Sequence, residues 1–198
     1  MNENKGLLEG IVVLDLTRVL AGPYCGTLIA DMGATVIKVE NPIGGDDSRS
    51  MGPFINGNSV YYANFNRSKL GCTLNLKTPE GKEIFKELVK KADVIIENYR
   101  PGTMEKLGLG YDDLKKVNPA IIYGAVSGFG HTGPLSKRAG YDIIGQAMGG
   151  VNEYYWLARR ASYSFWNTSW RCIRWFKSCN RSVSSINQPS KNRVRRKN

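Results

Sequence analysis

Ile11-Val12-Val13-Leu14-Asp15, then Gly22-Pro23 running to Met32-Gly33, then Thr35-Val36-Ile37-Lys38-Val39-Glu40 decide the fold. The first run is β-branched and apolar on both faces, as a strand buried within a parallel sheet must be. Pro23 suits the first turn of a helix, and Gly33 stands where a left-handed C-terminal cap belongs. The third run reads as the next strand. Together they make a β-α-β unit of about 30 residues, the length of one crossover.

Working outward, a glycine loop at Gly44-Gly45-Asp46-Asp47 leads to an extended segment, Tyr61 to Asn66, and a short alternating strand, Cys72 to Leu76. Thr78 is the expected N-cap of the clearest helix, with Pro79 in its first turn. Ile84, Leu88 and Val89 form its expected apolar face, opposite Lys82, Lys86 and Lys90. Val94 to Glu97 and Ile121 to Val126 read as further buried strands, with short helices at Thr103 to Leu107 and Tyr111 to Val117 between them. A last helix runs from Tyr141 toward Gly149. Strands alternating with helices predict an α/β, doubly wound, Rossmann-like parallel sheet.

Charge divides the chain of 198 residues in two. Residues 1 to 150 hold 17 basic and 16 acidic side chains, whereas 151 to 198 hold 11 basic ones and only Glu153. All 22 glycines precede the cut, and Trp156, Trp166, Trp170 and Trp175 follow it. The body is large enough to bury a core. The tail has no amphipathic pattern and is expected to be disordered. Met1 to Lys5 lacks the basic-then-apolar order of a signal peptide and no long apolar run occurs, so a cytoplasmic protein without a membrane span is expected. Cys25, Cys72, Cys172 and Cys179 form no C-x-x-C pair, and His131 is the only histidine, which disfavours structural zinc and a disulfide framework.

The G-x-G-x-x-G dinucleotide fingerprint is absent after the first strand. Ala21-Gly22-Pro23-Tyr24-Cys25-Gly26 keeps a strand-to-helix turn in its place. Cations stand in loops beside strand ends at Arg18, Lys77, Arg100, Lys106, Lys137 and Arg138. Ligands of such folds sit at the carboxyl edge of the sheet, so these residues suit an anionic ligand. His131, in a glycine loop, is a poor sole base for a nucleophilic triad.

Longer strings carry a resemblance. Leu8 to Thr17, Ala21-Gly22-Pro23, Asp31 to Glu40, Gly45-Asp46, Asn66-Arg67-Ser68-Lys69, Leu74 to Lys77, Ala92 to Gly102, Asn118-Pro119, Ser127 to Gly130 and Gly140-Tyr141-Asp142 occur in an order and spacing that closely resemble class III CoA-transferases. The likeness covers residues 6 to 151. It implies that residues 1–150 are a CoA-binding α/β domain, the N-terminal half of such an enzyme. Transfer of CoA between an acyl-CoA thioester and a free carboxylic acid is the implied activity. The implied contacts are Leu20, Ala21, Leu74, Asn75, Leu76, Lys77, Asn98, Tyr99, Arg100, Lys106, Arg138, Ala139, Gly140, Tyr141 and Asp142. The resemblance also implies an interlocked homodimer and no tightly bound cofactor, with CoA or acyl-CoA as substrate. Leu20 and Leu74 suit the adenine, and Lys77, Arg100, Lys106 and Arg138 its phosphates. A racemase branch of the same fold places a His where Tyr141 stands here. A phenol, with an ordinary pKa of about 10, is a poor base at neutral pH, so transfer is the preferred chemistry.

The tail departs from the family. The resemblance calls for a nucleophilic Asp about 20 residues past Gly149-Gly150, passing through an acyl-aspartyl anhydride and an aspartyl-CoA thioester. After Glu153 no Asp or Glu occurs at all. One base gained or lost in the coding sequence accounts for this. Read from the second base, Asn152 to Trp156 permits Met-Ser-Ile-Thr-Gly, Ser162 to Trp166 permits Pro-Thr-Arg-Phe-Gly, and Arg171-Cys172 permits an aspartate. Residues 151–198 are therefore expected to be a non-homologous, out-of-frame tail on a truncated, inactive chain. Two other readings compete. The Arg- and Trp-rich tail could bind single-stranded nucleic acid, or the chain could be a regulatory fragment that pairs with an intact subunit.

Overall fold

The computed structural model describes residues 6–149. In chain order the elements are β1 (Val12–Asp15), α1 (Ala21–Asp31), β2 (Thr35–Glu40), β3 (Phe54–Ile55), β4 (Asn58–Ser59), α2 (Val60–Asn66) and β5 (Leu70–Thr73). They continue with α3 (Pro79–Lys91), β6 (Val94–Glu97), α4 (Thr103–Lys106), α5 (Tyr111–Val117), β7 (Ile122–Ala125) and α6 (Asp142–Met148). A 3-10 turn, Asp47–Ser50, follows β2.

Five strands form one parallel sheet in the order β5-β2-β1-β6-β7, and β3 and β4 form a small antiparallel hairpin. The expected doubly wound α/β fold is the fold found. Successive crossovers run outward from β1 to β2 and β5, then return to the other side of β1 for β6 and β7. That reversal places the loops after β1 and β6 side by side at the carboxyl edge.

Apolar side chains cover both faces of the sheet. Val13, Val36, Val94 and Ile96 pack with Cys25 and Ile29 of α1 on one face. Leu14, Val39 and Ile95 pack with Phe85 and Val89 of α3 and Leu114 of α5 on the other. This two-sided burial is why the strands read as unbroken apolar runs. Gly33, at φ 98°, ends α1 as its position predicts.

Local expectations are corrected in three places. Tyr61 to Asn66 is not extended but helical: Ser59 caps α2 by accepting from the Tyr62 N–H at 3.0 Å, and Tyr61 stacks edge-on against Phe65 with ring centroids 5.0 Å apart. The strand expected over Cys72 to Leu76 lies earlier, at β5. Its register on β2 runs from Ile37 opposite Leu70 to Glu40 opposite Thr73, and Asn75 then turns the chain toward α3. On α3, Thr78 is the N-cap and accepts from Gly81 N–H at 3.2 Å, but the buried face is Gly81, Phe85 and Val89, while Ile84 is exposed. The expected tail, residues 151–198, lies outside the described residues.

Candidate functional site: two joined clefts at the carboxyl edge of the sheet

Two clefts open where the loops after the strands converge. One, of about 810 Å³, is walled by Val19, Leu20 and Ala21 after β1, by Asn98 to Pro101 after β6, by Ala125 to Gly128 after β7 and by Arg138 to Tyr141. The other, of about 470 Å³, lies between the loop after β2 and the turn Leu74 to Lys77, with Lys106 and Leu107 of the α4 region on its far side. Arg18, Asp47, Tyr99 and Thr103 line both, so the clefts adjoin along one partition. Both volumes fall in the range of small-molecule and cofactor sites.

Fourteen of the fifteen residues implied by the resemblance line these clefts. Leu20, Ala21, Asn98, Arg100, Arg138, Ala139, Gly140 and Tyr141 line the first, Leu74, Asn75, Leu76, Lys77 and Lys106 the second, and Tyr99 both. Asp142 is the first residue of α6. Arg18 and Tyr141, 123 positions apart in sequence, thus meet at one edge. Lys77, Arg100, Lys106 and Arg138 are exposed, and none of them pairs with a described carboxylate, which leaves their charges available to an anionic ligand.

The carboxylates of the clefts are engaged. Asp47 pairs with Arg18 on the partition. Glu40 accepts two bonds from Arg49 at 2.8 Å and one from the Tyr62 hydroxyl at 2.6 Å. Burial opposes the Glu40 charge, yet Arg49, Tyr62 and the Asp46 N–H together hold its pKa at about 2. The same burial and the neighbouring carboxylate push the Tyr62 phenol upward. Asp46 is 2% exposed and lies 2.8 Å from Lys38 Nζ. Burial works against its charge too, but the Lys38 ammonium and the N–H groups of Ser48 and Val19 keep it below the usual carboxylate range.

A second buried ion pair supports the turn from beneath. Lys69 Nζ lies 2.8 Å from Asp15 Oδ2, and its other bonds go to the Pro23 carbonyl at 2.7 Å and Asn66 Oδ1 at 3.0 Å. Burial pushes the Lys69 ammonium down, against the pull of Asp15. Asp15 Oδ1 accepts from both the N–H and the hydroxyl of Thr17. Gly26 lets α1 approach this pair, since a Cβ there would stand 2.4 Å from Asp15 Oδ2. The outer wall of the first cleft depends on a similar contact: a Cβ on Gly128 would meet Gly140 Cα at 2.5 Å.

Glu97 ends β6 behind the first cleft. Its Oε2 accepts from Tyr99 N–H at 2.7 Å, the Tyr123 hydroxyl is 3.5 Å from Oε1, and His131 Nε2 is 3.9 Å from Oε1. Burial raises its pKa to about 7, and Glu105 adds to the rise. Burial and the Glu97 charge push the Tyr123 phenol upward in turn. Among the described residues, no three His, Cys, Asp or Glu side chains gather as a metal site, and no helix is long and apolar enough to cross a membrane.

The profile described as CoA-transferase family III matches residues 8–160. The chain belongs to that family. The match runs past Val151, where the motif-by-motif likeness stops. A succinyl-CoA:glutarate CoA-transferase from Mus musculus is 52% identical over 145 residues, which are 73% of this chain and 33% of that protein. An acetyl-CoA:oxalate CoA-transferase from Acetobacter aceti is 49% identical over 147 residues, 74% of this chain and 38% of that one. Among solved structures, a CAIB/BAIF family protein from Brucella suis superposes with a TM-score of 0.84 at 39% identity, covering 92% of this chain and 49% of that chain. This family member thus spans between a third and two fifths of the curated relatives it matches.

Neither buried ion pair is foreseen from the sequence, and nor is the role of Glu97. The signal was present. Lys38 and Glu40 alternate with Val36, Ile37 and Val39 inside a strand buried on both faces, where a charge must find a partner.

Proposed function

We propose that residues 1–150 form the CoA-binding part of a class III CoA-transferase site, which takes an acyl-CoA as substrate and delivers its CoA to a free carboxylic acid. The observation that carries this reading is the convergence of the implied contact residues on two adjoining clefts, each with cations at its mouth that pair with no described carboxylate. The nucleotide end of the ligand meets Lys77 and Lys106, beside the apolar Leu74 and Leu76. The pantetheine follows Tyr99 across the partition, and the thioester enters the cleft walled by Gly128, Gly140 and Tyr141. The names of the relatives, with succinyl-CoA or acetyl-CoA paired with glutarate or oxalate, support a dicarboxylic acceptor.

Transfer itself needs a carboxylate that first attacks the thioester carbonyl and expels CoA thiolate. The thiolate then attacks the resulting anhydride, releasing the first acid and leaving an enzyme-bound thioester for the acceptor. Every carboxylate among the described lining residues is tied to a cation, and positions 154–198 hold no Asp or Glu. We read the segment 151–198 as an out-of-frame tail, and the chain as one that binds CoA without transferring it. The same family likeness supports a homodimer as the assembly of the intact relatives. Titration calorimetry with CoA, paired with an exchange assay between succinyl-CoA and labelled glutarate, tests both halves: binding without exchange is expected. No CoA uptake overturns the site, and exchange in the purified chain overturns the loss of the nucleophile.

A further inference from the structure

Val19 adopts φ 68°, a left-handed conformation that a β-branched residue takes only under compulsion. It lines the first cleft with Leu20 and Ala21. The backbone around it is held almost group by group. Thr17 N–H donates to Asp15 Oδ1 at 2.8 Å, and the Thr17 carbonyl accepts from Lys38 Nζ at 2.7 Å. Arg18 N–H donates to Asn98 Oδ1, its carbonyl accepts from Asn98 Nδ2, both at 2.8 Å, and the Leu20 carbonyl accepts from Tyr24 N–H at 3.0 Å. Val19 N–H donates to Asp46 Oδ1 at 3.0 Å.

Asp46 is fixed in its turn. Its Oδ1 accepts from Ser48 N–H at 2.9 Å and Ser48 Oγ at 2.8 Å, its own N–H donates to Glu40 Oε2 at 2.8 Å, and its Oδ2 faces Lys38 Nζ at 2.8 Å. A rigid path therefore runs from the middle of β2, through Lys38 and Asp46, to the strained Val19 of the cleft wall. We propose that Asp46, buried at the edge of the second cleft, is a positioning residue of the CoA site: its carboxylate is spent on Lys38, Ser48 and Val19, and it holds Val19 in its left-handed turn, so that Leu20 and Ala21 are set in the cleft wall before any ligand arrives. This rests on the CoA reading above. Neutralising Lys38 is the competing role for the same carboxylate, and the two are separable.

The test removes the charge question first. In the full chain, Lys38→Met/Asp46→Asn keeps an amide oxygen for Val19 N–H, whereas Lys38→Met/Asp46→Ala does not, and neither leaves a buried charge unpaired. Calorimetry should give the Asn version about tenfold tighter CoA binding than the Ala version, since a wall segment that must be ordered on binding lowers affinity. Adding Val19→Gly to the Ala version should recover most of the loss, because glycine holds a positive φ without a bond to enforce it. Equal affinities for the Asn and Ala versions, or no recovery with Val19→Gly, overturn the proposal. Amide hydrogen exchange at Val19 in the unmutated chain gives a reading that does not depend on the variants folding. Slow exchange with and without CoA is expected, and exchange that becomes slow only when CoA is added overturns preorganisation. An unmutated chain that takes up no CoA sinks the CoA reading instead, while slow exchange at Val19 would still stand for Asp46's hold on the turn.

Discussion

The side-chain amide of Asn98 bonds the backbone of Arg18 in both directions, Nδ2 to the carbonyl and Oδ1 from the N–H, each at 2.8 Å. These residues are 80 positions apart and belong to the loops after β6 and β1, the two strands where the winding of the sheet reverses. The resemblance implies Asn98 as a CoA contact; the geometry gives its amide to the protein. Its part in the site is to join the two loops that form the cleft.

Asn98→Ala should therefore lower stability by about 1–3 kcal/mol, the cost of leaving two part-buried backbone groups without their partner. It should also weaken CoA binding. Asn98→Asp keeps the acceptor for Arg18 N–H but loses the donor, so its effect should be intermediate. Urea unfolding and CoA calorimetry on the three proteins check this. An Asn98→Ala chain of unchanged stability would mean that the loops are joined by other contacts.

The Asp15–Lys69 pair makes a stronger demand. Both side chains are almost wholly buried, at 0% and 1% exposure, so removing one leaves the other charged in an apolar setting. Lys69→Met should cost about 3–5 kcal/mol, and Asp15→Leu/Lys69→Met should recover a large part of it. Recovery will not be complete, since Asp15 also holds Thr17. A double variant no more stable than Lys69→Met would place the energy in the Thr17 bonds and not in the ion pair.

The sheet was legible because its strands are buried on both faces and so appear as apolar runs, and α1 because Pro23 and Gly33 bracket it. The helix α2 was not. Tyr61, Tyr62 and Phe65 favour a strand by propensity, while the Ser59 cap, the i, i+4 stacking of Tyr61 on Phe65 and the packing of Phe65 on Tyr24 of α1 hold the segment as a helix. On α3 the apolar residues were visible but the buried face was not, because Ile84 and Phe85 lie about 100° apart on a helix and only the core decides between them. In the site, the contacts were reached through resemblance, which reports what a family retains for its ligand. Asp15 meets Lys69 only after the crossovers from β1 to β2 and from β2 to β5 have formed, and Lys38 meets Asp46 across the loop that follows β2, so no run of adjacent residues announces either pair.

Glu97 gives the fold a pH dependence near neutrality. Its pKa rises from the ordinary 4.5 to about 7 because burial disfavours the charged form. The folded state therefore keeps a proton that the unfolded chain has released. Stability is fully present below about pH 4.5 and is lost as pH rises through 7, by about 3 kcal/mol over that window. Glu97→Gln carries the neutral shape permanently and should remove most of the slope, remaining more stable than the parent at pH 8. Urea midpoints at pH 5 and pH 8 measure it. Parallel losses in the two proteins would assign the slope to another group.

The cations of the two clefts distinguish the two ends of the bound ligand. Lys77 and Lys106 line one cleft, Arg100 and Arg138 the other. All four are exposed, so each counts only where a phosphate actually meets it. Replacement by Ala should then weaken CoA binding by about 1.5–3 kcal/mol per charge-assisted contact made. Dephospho-CoA, which lacks the 3′-phosphate, separates the two clefts. If the nucleotide end lies between Leu74 and Lys106, then Lys77→Ala or Lys106→Ala should cost much less against dephospho-CoA than against CoA. Arg100→Ala and Arg138→Ala should cost the same against both ligands. Calorimetry of the four variants with the two ligands decides the direction of the bound molecule. Loss of ligand discrimination in the arginine variants would reverse it, and unchanged CoA affinity in all four would remove the clefts from the site altogether.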